Sequence, residues 1–101
     1  MPRALKAGRV TVKAGDEDSY VETVHALATL ARERGLNIWL FRHGREPGSF
    51  FEFIEAANED AIQEPWTREE AALVDRIRGI ATYGSESSDL WHEVPPPERV
   101  T

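Results

Sequence analysis

The stretch GSFFEFIEAANEDAIQ, residues 48–63, decides the fold of this chain. Its first half contains three phenylalanines and one isoleucine, a composition that is typical of a β-strand. A second aromatic run, NIWLFRH over residues 37–43, precedes it, and the short segment GREPGS over residues 44–49 lies between the two. Two aromatic runs around a short Gly- and Pro-containing segment predict a β-hairpin.

A strand and a helix are predicted before the hairpin. The sequence RVTVKA, residues 9–14, alternates with period two and predicts the first strand. The motif Ser19-x-x-Glu22 is a capping box, which predicts the start of a helix. Gly35 predicts its end, with Leu36 folding back on the last turn. The apolar stripe of this helix comprises Tyr20, Val24, Leu27 and Ala31, with Val21 and Ala28 beside it.

A second helix and a last strand are predicted after the hairpin. Thr67-x-x-Glu70 is another capping box, and Gly84 marks the expected end of this helix. Residues 89–94, DLWHEV, predict a strand that the following prolines terminate. The buried stripe of the helix is expected to comprise Leu73, Val74, Ile77, Ile80 and Ala81.

The predicted element order is βαββαβ. Right-handed crossovers then give an antiparallel sheet of order 4-1-3-2 with both helices on one face, which is a ferredoxin-like α+β sandwich. We expect a single domain over residues 1–101, with a core at about 9–94, a flexible N-terminus and a Pro-rich C-terminal tail.

The hairpin carries large apolar side chains on both faces of the sheet, although two helices cover only one face. One set is Ile38, Leu40, Phe50 and Ile54, and the other is Trp39, Phe41, Phe51 and Phe53. An exposed aromatic patch of that size is rare on a monomer, so something else is expected to cover the second face. RNA bases and a second copy of the sheet are the two alternatives.

The RNA alternative rests on the element order, which an RNA-recognition motif shares. The third strand of that motif carries a Gly-aromatic-Gly/Ala-aromatic signature for base stacking. When Phe51 and Phe53 are matched to the aromatics, Phe50 and Glu52 stand where small residues belong. The glutamates and the net charge also oppose phosphate binding. RNA binding is therefore the more remote alternative.

The second alternative rests on a resemblance of residues 51–62, FEFIEAANEDAI, to the third strand and following helical turn of the dimeric α+β barrel superfamily. This superfamily includes antibiotic-biosynthesis-type monooxygenases and related stress-responsive and heme-degrading proteins. The resemblance implies a homodimer in which two sheets pack face to face. Ala57 stands where the family has a bulky residue, and no His follows Gln63, as it does in many relatives.

Several side chains are candidate site residues under this resemblance. Glu55 matches the family's strand-three glutamate, and in apolar surroundings it could act as a general acid or base. His92 is the second catalytic candidate. A salt bridge of Glu55 with Arg42 or Arg9 is the structural alternative. Flat aromatic ligands could bind between the candidate pocket residues Trp39, Phe51, Phe53 and Trp91.

The composition narrows the possible chemistry. The chain has no Cys and only three His, scattered over different predicted elements, so neither a thiolate site nor a His-rich metal site is expected. The formal charge of −6 argues against a nucleic-acid partner. We expect no metal, no cofactor and no membrane segment, and a cytoplasmic location.

Two hypotheses on function follow. In the first, the dimer binds a small aromatic molecule, or oxidises it in a monooxygenase-like reaction without a metal. In the second, the dimer is a non-catalytic regulatory or interaction module whose aromatic face serves self-association alone. A pocket beside Glu55 in the dimer would distinguish them.

Overall fold

A computed structural model describes residues 2–97 of the chain. Within this range the strands form one sheet, and the helices pack against it. Their bounds are β1 Ala4–Val12, α1 Glu17–Arg32, β2 Asn37–Arg42, β3 Ser49–Ala56, α2 Glu59–Gln63, α3 Arg68–Ile80, β4 Ala81–Tyr83 and β5 Trp91–His92.

The sheet is antiparallel and has the order β2-β3-β1-β4, with β5 also paired to β1. The predicted α+β, ferredoxin-like arrangement is confirmed, because β3 lies between β2 and β1 as the order 4-1-3-2 requires. The position of the predicted fourth strand is shared by two short strands. β4 pairs with residues 10–12 of β1, and β5 pairs with residues 4–5.

The first strand and the last long helix have bounds that differ from the predicted ones. The first strand begins at Ala4 rather than at Arg9, because pairing with β3 extends from Ala4 opposite Ala56 to Thr11 opposite Ser49. The last long helix ends at Ile80 rather than at Gly84. Ala81, which was predicted to belong to the buried stripe of this helix, is the first residue of β4. Thr82 and Tyr83 favour extended backbone and pair with β1.

The helix ends show which capping motifs are used. α1 begins at Glu17, so the predicted capping box at Ser19 is wrong: Ser19 already lies inside the helix. The box at Thr67 is confirmed, since its hydroxyl accepts from the backbone N–H of Glu70. Gly35 has a φ of 86° and lets the Leu36 N–H reach the carbonyl of Ala31 at 3.1 Å, which confirms the predicted C-terminal cap.

The register of the hairpin confirms the two predicted faces. Ile38 lies opposite Ile54 on the helix side, and Trp39 lies opposite Phe53 on the other side, which we call the open face. The core between the helix side and the helices contains Val10, Val12, Tyr20, Val24, Leu27, Phe50 and Ile77. A second cluster contains Ala4, Ala31, Leu36, Ala56 and Ile62.

Gly48 allows the hairpin to close against β1, and we expect Gly48→Ala to destabilise the protein by at least about 2 kcal/mol. Its φ is 75°, and a Cβ there would collide with the backbone carbonyl oxygen of Val12. Gly44→Ala in the same turn is the matched control, because nothing lies within 4 Å of its added Cβ. Urea unfolding of the two variants measures the difference. Equal stabilities would contradict this role for Gly48.

Candidate functional site

A cavity of about 560 Å³ lies between the helix side of the sheet and the helices. Its walls are mainly apolar, and its volume is within the range of small-molecule sites. We call it the inner cavity. The strands contribute Gly8, Ile38 and Ile54 among others, and the helical layer contributes Leu27, Ile62, Trp66, Val74 and Ile77.

The buried carboxyl group of Glu52 lines the inner cavity. Glu52 lies in the middle of β3, opposite Gly8 on one neighbouring strand and Leu40 on the other, and is only 8% exposed. Its Oε1 accepts a hydrogen bond from the Tyr83 hydroxyl at 3.2 Å and a longer one from the Tyr20 hydroxyl at 3.5 Å. A carboxyl group and two phenols from three different elements therefore meet at one point.

Burial dominates the protonation of this cluster. It raises the pKa of Glu52 above the ordinary value, and the hydrogen bonds from Tyr83 and Tyr20 offset only part of the rise. Burial and the neighbouring Glu52 also raise the pKa values of both phenols. Within residues 2–97 no salt bridge involves Glu52. Its carboxyl group is therefore suited to exchange a proton with a bound molecule.

One wall of the inner cavity is formed by the turn Ser85–Ser88, which crosses β1 at Gly8. A Cβ at Gly8 would come within 2.6 Å of the Ser87 Cα, so this close approach requires glycine. The carboxylate of Glu86 accepts from the Arg9 backbone N–H at 3.3 Å. The turn is thus held on the edge of β1 that β4 and β5 leave free.

Glu55, the predicted catalytic residue, does not reach the inner cavity but lies on the open face at the end of β3. Its Oε2 forms a salt bridge with Arg3 at 3.1 Å, and its Oε1 accepts from the Asn37 amide at 3.2 Å. The predicted pairing with Arg42 or Arg9 is therefore wrong, because the first strand begins early enough to place Arg3 beside it. A catalytic role for Glu55 remains a prediction.

His92, the second candidate, lies on the opposite face of the sheet from Glu55. In the register of β5, His92 is opposite Ala4 on the helix side, whereas Trp91 and Glu55 both flank Leu5 on the open face. The His92 imidazole lies 3.0 Å from a Glu59 carboxylate oxygen and is half-exposed. Glu55 and His92 nevertheless border one shallow cavity at this end of the sheet.

The four aromatic residues predicted to bind a ligand lie together on the open face. Trp39 and Trp91 are each 56% exposed, and Phe51 is 38% exposed. The Phe51 and Phe53 rings stack at 4.8 Å, and Phe41 meets Phe53 edge to face at 5.6 Å. None of them lines the inner cavity, whose aromatic wall residues are Trp66 and Tyr83. Beside Glu55 and Trp91 there is only a shallow cavity of about 180 Å³.

Glu52, Tyr20 and Tyr83 were not predicted as site residues, although the sequence contains a signal for Glu52. It alternates with Phe50 and Ile54, which places it on the helix side of β3. A glutamate between two core residues of a strand is unusual enough to indicate a site. Nothing in the sequence indicates that tyrosines about thirty residues before and after it would share its carboxyl group.

Within residues 2–97, no group of three or more His, Asp or Glu side chains is placed to hold a metal ion. None of the helices in this range has the length and apolar character needed to cross a bilayer.

Solved structures named as antibiotic biosynthesis monooxygenases share this fold, which confirms the fold that the resemblance implied. One such solved structure is a protein from Caulobacter crescentus CB15, named as a proposed antibiotic biosynthesis monooxygenase. It is 14% identical to this chain with a TM-score of 0.76, and the match covers 93% of this chain and 92% of the Caulobacter chain. A point mutant of SnoaB, a cofactor-independent oxygenase from Streptomyces nogalater, is 13% identical with a TM-score of 0.73 and 97% coverage of both chains.

Rv0793 from Mycobacterium tuberculosis is also similar, at 14% identity with a TM-score of 0.70, covering 99% of this chain and 100% of its own. No protein-family model matches the sequence, and no curated protein sequence matches it. At such low identities the likeness concerns the fold, so the function has to be argued from the site.

Proposed function

We propose that the protein binds a small aromatic molecule with an acidic hydroxyl group in the inner cavity, and that Glu52 accepts the hydroxyl proton. The observation that carries this proposal is the buried carboxyl group of Glu52 in an apolar cavity of about 560 Å³. Apolar walls with few polar groups are typical of sites for such molecules, and Trp66 offers a flat contact surface. A raised pKa makes Glu52 a stronger base than an exposed glutamate.

Oxidation by dioxygen is the reaction that we propose to follow proton removal. Loss of the hydroxyl proton leaves an electron-rich aryloxide, which can donate electrons to dioxygen. A ring-activated CH₂ group that becomes a carbonyl supplies four electrons, so one oxygen atom enters the substrate, the other leaves as water, and no external reductant is needed. SnoaB, whose fold is similar, is described as a cofactor-independent oxygenase, which supports this reaction class.

Binding and proton transfer are tested with 2-naphthol, whose absorbance reports its ionisation. We expect the protein to bind 2-naphthol and to increase its ionised fraction at a given pH. Glu52→Gln keeps the size of the side chain but removes the base, so the ionised fraction should fall. Glu55→Gln is the matched control, because it makes the same change on the open face of the same strand. An effect of Glu55→Gln but not of Glu52→Gln would contradict the proposal.

The open face supports a further part of the proposal, a homodimer in which two sheets pack against each other. Trp39, Phe41, Phe51 and Trp91 are large apolar side chains exposed on one side of one sheet. Fully burying one such side chain stabilises an association by about 1.5–3 kcal/mol. Across a two-fold axis the aromatic patch of one subunit would pack against the same patch of the other subunit.

Trp39→Glu is expected to weaken this dimer at least about 100-fold, because two carboxylates would have to be buried at a symmetric interface. Ala72→Glu, at an exposed position of α3, is the control with the same added charge. Analytical ultracentrifugation of both variants measures the dissociation constant. A wild-type protein that is monomeric at micromolar concentration would contradict the dimer, and binding of single-stranded RNA would then become the test for the open face.

A further inference from the structure

Two cationic side chains in the wall of the inner cavity form no salt bridge. Four ionisable side chains other than tyrosine contribute to its wall, namely Lys6, Glu52, Glu64 and Arg78. Glu64 forms a salt bridge with Arg34 at 3.3 Å, and Glu52 forms no salt bridge with any described residue. Within residues 2–97 neither Lys6 nor Arg78 forms a salt bridge. The wall therefore carries two cations that no carboxylate neutralises.

These two unpaired cations contrast with the rest of the molecule, since the chain has a formal net charge of −6. Lys6 is half-buried and projects to the helix side of β1, next to Gly8. Arg78 is exposed near the end of α3. The pKa of Tyr83 is raised mainly by burial and by Glu52, and the charge of Arg78 acts weakly in the opposite direction. Arg78 and Tyr83 both line the inner cavity.

We propose that the ligand carries a carboxylate in addition to the acidic hydroxyl, and that Lys6 and Arg78 bind this carboxylate at the mouth of the inner cavity. The inference rests on the proposed function and narrows its ligands to hydroxyaryl carboxylic acids. Lys6 and Arg78 supply charge-assisted hydrogen bonds, and the guanidinium group matches a carboxylate in geometry. Two isolated cations without a glycine-rich loop suit a singly charged group rather than a phosphate.

The two ends of such a ligand would meet different surroundings. The carboxylate stays at the partly hydrated mouth, where Arg78 is exposed, while the ring system enters among apolar residues such as Leu27 and Ile77. The hydroxyl then reaches the carboxyl group of Glu52. A rigid molecule with its carboxylate and its hydroxyl at opposite ends fits this arrangement.

Titration calorimetry with four related compounds tests the inference: 6-hydroxy-2-naphthoate, its neutral amide, 2-naphthoate and 2-naphthol. We expect 6-hydroxy-2-naphthoate to bind at least about tenfold more tightly than the amide at low salt, and the difference to shrink at high salt. The double variant Lys6→Met and Arg78→Met should remove the difference. Lys13→Met with Arg76→Met is the control, since it removes two exposed cations elsewhere.

The outcomes separate the inference from the function on which it rests. Equal affinities for the acid and the amide, with binding still weakened by Glu52→Gln, would overturn the carboxylate site and leave the proposed function intact. If 2-naphthoate binds in a Lys6- and Arg78-dependent manner but neither the hydroxyl group nor Glu52 matters, the proposed function is wrong and the cation pair stands. If none of the four compounds binds, both are wrong.

Discussion

Replacement of Glu70 by alanine is expected to destabilise the protein by about 3 kcal/mol, with a fall in melting temperature of more than about 10 °C. Glu70 is 1% exposed and lies in the first turn of α3. Its two carboxylate oxygens accept from the Arg34 Nε at 3.1 and 2.9 Å, and Oε1 also accepts from Nη2 at 2.9 Å and from the Thr67 backbone N–H at 2.9 Å. Alanine would leave a partly buried guanidinium group without its main partner.

The neighbouring Glu69→Ala is the control for this prediction, because Glu69 is exposed in the same helical turn. Hydrogen bonding to Arg34 lowers the pKa of Glu70, so its contribution to stability is complete above the ordinary value of 4.5 and is lost as the pH falls through the lower folded-state pKa. Urea unfolding at pH 7 and at pH 3 measures both effects. If Glu69→Ala and Glu70→Ala are equally stable at pH 7, the Arg34–Glu70 pair does not hold the segment that follows α1 to α3.

This pair illustrates what the sequence could predict. The capping box of Thr67 and Glu70 is local, so its spacing alone indicated the start of α3. The contact with Arg34 joins residues 36 positions apart, and no spacing rule indicates it. The same distinction applies to the sheet: alternation predicted the two faces of the hairpin, whereas the full length of β1 depends on pairing with β3.

The candidate site depends even more on contacts between residues that are far apart in the sequence. The resemblance directed attention to Glu55 and to the aromatic residues of the open face. Alternation along β3 already placed Glu52 on the helix side, but its significance depends on the cavity in front of it and on Tyr83, which comes from β4. Because β4 was predicted as the end of a helix, the hydroxyl group of Tyr83 could not have been placed beside Glu52.

Glu52→Gln is expected to have effects of opposite sign on catalysis and on stability. If Glu52 removes the hydroxyl proton, oxygen consumption should fall by about 10²- to 10⁴-fold. Anthrone is a suitable substrate, because its enol form has an acidic aryl hydroxyl and its CH₂ group becomes a carbonyl with release of water. Glu55→Gln, on the opposite face, should leave the rate within about twofold of the wild type. A larger loss in the Glu55 variant would locate the chemistry on the open face instead.

The stability of Glu52→Gln should exceed that of the wild type increasingly as the pH rises. Burial raises the pKa of Glu52, so the folded protein keeps this proton to a higher pH than the unfolded chain. Wild-type stability therefore falls from pH 4.5, the ordinary value, up to the folded-state pKa, and stays low above it. Glutamine has no such proton to lose and can still accept from both phenols. Urea unfolding from pH 4 to pH 9 measures the free energy of unfolding of both proteins, and the difference between them should grow by about 1–3 kcal/mol over this range.

Tyr83→Phe gives the reverse test of the same carboxyl group. The hydrogen bond from Tyr83 lowers the pKa of Glu52 against the larger effect of burial, so its removal should raise that pKa further. The decline in stability should then extend to a higher pH than in the wild type, and the pH at which oxygen consumption becomes half-maximal should rise with it. The pH dependence of stability and that of oxygen consumption should both follow the ionisation of Glu52. If only one of them shifts in Tyr83→Phe, Glu52 is not the base in the reaction.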